Sequence, residues 1–106
     1  MTLRELQDSL PWGAHNYSEL FRANTQAHRD FAHALLHIQK AAGKLAAVVD
    51  DGDHNDEVAP HFAPEKVDRY LADLIICTLR MANTCPAGRV DLEEAVRTRL
   101  KEKFGS

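Results

Sequence analysis

His33 and His37 stand four residues apart, a spacing that puts two imidazoles on one helix face, where such pairs hold transition metals. Asp30 lies one turn earlier in the same row. No cysteine or third histidine stands at ligand spacing, so the row reads as a polar helix margin and no metal is expected there. In the acidic stretch 50–57, Asp51-x-Asp53-x-Asn55 matches the first three ligands of an EF-hand loop. The match ends there. The sixth position is Asp56 instead of glycine and the twelfth is Phe62 instead of glutamate, so a solvated loop is expected. Cys77 and Cys85, eight apart, would lie about 12 Å apart along a helix, too far to bridge. They read as buried thiols of a reducing, cytoplasmic compartment. No Gly-rich phosphate loop, nucleophile elbow or Cys/His pair is present.

Helices must position these groups. Phe31, Leu35, Ile38, Ala42, Leu45 and Val49 recur at steps of four and three inside a run from about Thr25 to Val49, and the helix should end near Asp50. Val67, Leu71, Leu74, Thr78, Met81 and Cys85 repeat the pattern between Pro64, which suits a first helical turn, and about Thr84, before Pro86 and Gly88. Two such stripes should pack on each other, with function in the crevice between them. Thr2 with Glu5 forms a capping pattern for a short helix bearing Leu3, Leu6 and Leu10, which Pro11 and Gly13 break. Trp12 reads as a core anchor. Asn16 and Glu19 repeat the cap, with Tyr17, Leu20 and Phe21 behind; this segment either runs on into the long helix or turns near Asn24. Asp91 caps a last helix with Leu92, Val96, Leu100 and Phe104. No strand pattern competes. The fold class is all-α: a helical bundle of two long antiparallel helices plus shorter terminal ones.

The chain of 106 residues has room for one small domain, 1–106. Its 44% hydrophobic and 27% charged composition is that of a globular protein. A net charge of -3 with dispersed basic residues gives no footprint for nucleic acid. No apolar run is long enough for a membrane, and the charges in residues 1–8 leave no core for a signal peptide.

Five strings, in order, resemble the MazG-like all-α nucleoside triphosphate pyrophosphohydrolases. They are His33-Ala-Leu-Leu-His-Ile, Gly43-Lys-Leu-Ala-Ala, Leu71-Ala-Asp-Leu-Ile-Ile, Leu79-Arg-Met-Ala, and the run from Val90 to Leu100. The resemblance covers the chain from about residue 28 onward. It implies hydrolysis of a nucleoside triphosphate to monophosphate and pyrophosphate, with Glu-x-x-Glu on the first long helix and Glu-x-x-Asp on the second. Residues three apart share a helix face, so two such pairs bring four carboxylates onto Mg²⁺ ions that hold phosphates and activate water. Laid on this chain, the first pair falls on Ala41 and Lys44 and the second on Tyr70 and Asp73. One carboxylate of four remains. The literal Glu65-x-x-Asp68 lies five residues upstream of that frame, in a first helical turn where acids complement the dipole.

Two functions follow as expectations. The first is a non-catalytic relative, a self-associating helical module that needs no cofactor. In it Lys44 forms a salt bridge to Asp73 in a partly buried cleft, Tyr70 fills space, and His37, Lys44 and Arg99 contact a nucleotide or other anion. The second is an active enzyme in which Asp73 is catalytic and Mg²⁺ arrives on the substrate. Arg99 and Lys103 lie where the resemblance places phosphate contacts, although with Arg97 and Lys101 they read more simply as charged surface. Self-association, as a homodimer or tetramer completing a four-helix bundle, is implied by the resemblance and by the thin core of so short a chain.

Overall fold

The computed structural model describes residues 1–10, 20–54 and 58–105, with the backbone alone for 20–25. The described residues form helices and no strand: α1 (Leu3–Ser9), α2 (Leu20–Asp53), a 3-10 turn (Ala59–Phe62), α3 (Pro64–Thr84) and α4 (Leu92–Phe104). Among them no helix is long and apolar enough to cross a membrane. Trp12, Tyr17 and the cap at Asn16 lie outside the described residues.

The local signals explain the ends. Thr2 Oγ1 accepts from the Glu5 N–H at 3.1 Å, and Glu5 Oε1 accepts from the Thr2 N–H at 3.2 Å, the reciprocal capping box read from the sequence. Asp91 caps α4 by accepting from the Glu94 N–H at 3.2 Å. Lys101 and Lys103 occupy the last turn of α4, opposite the dipole's negative end. Gly105 follows at φ 82°, a left-handed conformation that glycine adopts without a Cβ penalty. Pro64 opens α3, as its fixed φ allows.

Of the two alternatives at Asn24, α2 takes the first and runs unbroken through it. It differs from expectation in two ways, and the first is that it continues past Asp50 to Asp53. Its buried row is Ala27, Ala34, Ala41 and Val48, spaced by seven, with Phe31, Ile38 and Leu45 half-buried between them. Leu35, Ala42 and Val49, assigned to the buried face by their spacing, are exposed instead, Leu35 and Val49 by 40% and 48%. Both rows share the same three-four period, so periodicity alone does not choose between them. Alanines won the inner row. In α3 the same shift turns Leu71 out, 49% exposed, and Tyr70 and Cys77 in.

The chain divides into two compact units, residues 1–33 with 79–106, and residues 34–78. In the first, α1 packs against α4, and Leu79, Ala82, Asn83, Thr84 and Gln7 are buried. In the second, α2 from Ala34 onward, the 3-10 turn and α3 up to Thr78 enclose Ala34, Ala41, Val48 and Cys77. Gly52 is buried where a Cβ would stand 3.3 Å from both Phe62 and Val58, so its lack of a side chain lets the turn close on α2. Cys77 and Cys85 are both free thiols; Cys77 is buried and Cys85 half-buried.

Candidate functional site

Three sequence-derived site residues of the second unit lie on one side of α2. His37, Ala41 and Lys44, at steps of four and three, share a helix face. Ala41 is 4% exposed and faces the interior, whereas His37 and Lys44 are exposed. On α3, Tyr70 is half-buried and Asp73, one turn on, is exposed. Between the two helices, the Lys44 ammonium lies 5.4 Å from the centroid of the Tyr70 ring.

That contact corrects the expected salt bridge. Among the described residues no ion pair joins Lys44 to Asp73. The reason is solvation. Both side chains reach water, so Asp73 needs no counter-charge to offset burial. The ammonium instead lies over the electron-rich face of the Tyr70 ring. Tyr70 is therefore the cation's platform as well as a space-filler.

The chemistry open to this arrangement is narrow. A buried methyl at 41 donates nothing, and an ammonium at 44 repels a divalent ion. No group of three His, Cys, Asp or Glu residues that could hold a metal occurs among the described residues. An exposed cation braced on an aromatic ring, with His37 two turns away, suits an anion instead. Glu65 and Asp68 are exposed in the first turns of α3, where acids complement the dipole. His33 and His37 are both exposed.

The acidic stretch also departs from the loop reading. Asp51 and Asp53 belong to the last turn of α2, where residues two apart point to different sides and cannot line one loop site. His54 closes this end: its Nδ1 lies 2.8 Å from the Asp50 carbonyl oxygen and 3.4 Å from the Asp50 carboxylate. Asn55 and Asp56 lie outside the described residues.

Arg99 and Lys103 belong to the first unit. Arg99 donates to Glu102 at 2.8 Å, Arg97 pairs with Glu93 at 3.7 Å, and Lys103 is exposed, an ordinary charged helix surface.

A buried polar cluster of that unit was not singled out from the sequence. Gln7, 1% exposed, donates through Nε2 to Asn83 Oδ1 at 3.0 Å and to the Val90 carbonyl at 2.7 Å. Its Oε1 accepts from the Leu92 N–H at 3.2 Å, and Asn83 Nδ2 returns a bond to the Gln7 carbonyl at 3.0 Å. Arg89 donates to Asn83 Oδ1 at 3.1 Å and pairs with Asp8. Arg4 bridges Asp91 at 3.0 Å and Glu93 at 3.2 Å. No buried side-chain polar atom among the described residues lacks a partner, and the cluster ties α1 to the start of α4. The one available signal was the place of Gln7 among Leu3, Leu6 and Leu10.

In comparisons with protein-family models, curated proteins and solved structures, nothing matched this chain.

Proposed function

We propose that the chain is a catalytically degenerate relative of the MazG-like pyrophosphohydrolases, a self-associating helical module whose polar face takes a nucleotide or another phosphate-bearing anion at Lys44 and His37. One observation carries the reading. Where the resemblance sets three of its four carboxylates, this chain has a buried methyl, an ammonium and the ring on which that ammonium rests, at 5.4 Å. Cation and ring satisfy each other, and the group they leave room for is negative.

Self-association has separate support. Leu35, Ala42 and Val49 share the side of α2 opposite Lys44, and Leu71 and Ile75 share a side of α3. Leu35, Val49, Leu71 and Ile75 are between 40% and 53% exposed. Covering four half-exposed aliphatic side chains on each of two copies contributes on the order of 8 kcal/mol, comparable with the lower estimates of the cost of association.

A pyrophosphate-release assay over nucleoside and deoxynucleoside triphosphates, with Mg²⁺ and with Mn²⁺, tests the first claim. Rates equal to buffer are expected. A robust rate lost in Asp73→Asn overturns the proposal in favour of a Mg²⁺-dependent enzyme. Light scattering during size exclusion tests the second: a dimer or tetramer is expected at micromolar concentration, and a monomer refutes it.

A further inference from the structure

The packing of α4 stops after its first turn. Leu92 and Glu93 are half-buried, and every residue from Glu94 to Gly105 is exposed. A helix of 13 residues is marginal in water on its own. This one carries large apolar side chains four residues apart: Val96, Leu100 and Phe104 are 42%, 51% and 79% exposed. That spacing lays them along one helix face. The flanks are basic. Arg97 and Arg99 are held by Glu93 and Glu102, whereas Lys101 and Lys103 have no ion-pair partner among the described residues.

The second unit presents a surface of the same apolar character and opposite charge. At the end of α2 and the turn behind it, Val49, Val58 and Phe62 are 48%, 50% and 37% exposed. Asp53 lies one turn from Val49 on the same side of α2, and Asp50, 72% exposed, is next to it. This end continues the exposed row that begins at Leu35.

We infer that α4 docks through Val96, Leu100 and Phe104 onto Val49, Val58 and Phe62 of a second copy of this chain, with Lys101 and Lys103 set against Asp50 and Asp53. The inference rests on the self-association proposed above and adds to its face, at Val49, a contact made by α4. Two arguments select a second copy. Each patch offers exposed apolar side chains flanked by the charge opposite to the other's. A reciprocal exchange of α4 between two copies is also closed by a two-fold axis, so it covers both patches on both copies and leaves no open end for further growth.

Zero-length cross-linking tests this. Light and ¹⁵N-labelled full-length protein are mixed in equal amounts, exchanged, and treated with a carbodiimide that joins amine to carboxylate. Peptides joining Lys101 or Lys103 to Asp50 or Asp53 are expected, half of them pairing one light with one heavy partner. If every joined peptide is of a single isotope, the docking lies within one chain and the inference is overturned. Absence of the pairs while light scattering still reports a dimer overturns the docking and leaves self-association standing; absence with a monomer removes both. Charge reversal gives an independent reading. Lys101→Glu/Lys103→Glu and Asp50→Lys/Asp53→Lys should each weaken association roughly tenfold when alone, and an equal mixture should recover it. A mixture that stays weak refutes the inference, as does capture of α4 by phosphatidylserine vesicles without mixed-isotope pairs.

Discussion

Gln7 and Asn83 exchange hydrogen bonds across the first unit: the Gln7 side-chain amide donates to Asn83 Oδ1 at 3.0 Å, and the Asn83 amide donates to the Gln7 carbonyl at 3.0 Å. Because Gln7 also holds Val90 and Leu92, its loss strands several groups at once. An unmade bond costs a buried group about 1–3 kcal/mol. Gln7→Leu should therefore lower unfolding free energy by about 3 kcal/mol in urea titration. Adding Asn83→Leu should cost less than its effect alone, since its partner is already gone. Gln7→Glu sharpens the test. At neutral pH it turns a donor into a carboxylate facing the Val90 carbonyl and Asn83 Oδ1; in mild acid the protonated group donates again. Its deficit relative to the parent should shrink as pH falls from about 7 toward about 5. A pH-independent deficit would mean that shape, and not the donor, matters at this position.

The Asp91 carboxyl is held below its ordinary value of 3.8, first by the hydrogen bond it accepts from the Glu94 N–H and further by Arg4. A carboxylate with a depressed folded-state pKa stabilises the fold fully above its unfolded value, and that contribution is lost as pH falls through the folded one. Between about pH 7 and 5 this group should contribute no slope. Below about pH 4 stability should fall, and Asp91→Asn, which keeps a capping oxygen but not the charge, should flatten that acid limb. Urea midpoints measured from about pH 2.5 to 7 check the difference. An equally steep acid limb in the variant would place the acid-sensitive group elsewhere.

Element types, and the helix ends marked by a cap or a proline, were legible because their causes are local. Thr2 with Glu5, Pro64 and Asp91 each act on backbone within a turn or so of themselves, and each stands at the helix end it marked. The buried face was legible only to within one residue. Leu35 and Ala34 are neighbours, and choosing between them depends on how close the facing helix comes, a tertiary fact that favours the smaller residue. The partner of Lys44 escaped for a related reason. The choice between Tyr70 and Asp73, one turn apart, depends on how the facing helix sets each side chain against the ammonium, which is again a tertiary fact. Gln7 escaped because an amide among leucines looks like surface until Asn83, 76 residues on, supplies its acceptor.

Two glycines of α2 should respond unequally to alanine. At Gly43 a Cβ meets nothing within 4 Å in mid-helix, so Gly43→Ala should raise stability by about 0.5–1 kcal/mol through helix propensity and reduced unfolded-state freedom. At Gly52 the same Cβ stands 3.3 Å from Phe62 and Val58, and the turn must move to admit it. Gly52→Ala should gain less than Gly43→Ala or lose outright, with the deficit relieved by Phe62→Leu. Thermal unfolding of the three variants decides it. Equal gains at both positions would mean the 3-10 turn is not packed against α2.

Restoring oxygens where the resemblance sets them tests the residue alignment itself. Ala41→Glu/Lys44→Glu/Tyr70→Glu would place three carboxylates beside Asp73. Because Ala41 is 4% exposed, the carboxylate introduced at that position must either be buried or push outward, and without metal the variant should unfold several degrees below the parent. Mn²⁺ should reverse much of that loss, since a ligand that binds only the folded state stabilises by mass action. The parent, with its ammonium over Tyr70, should show no such Mn²⁺-dependent gain. Titration calorimetry supplies the direct reading: Mn²⁺ should bind the triple variant with measurable heat and stoichiometry, and Asp73→Asn within that variant should weaken it. A triple variant that is destabilised yet indifferent to Mn²⁺ would show that these four positions do not converge on one point, and the alignment behind the degenerate-site proposal would fall with it.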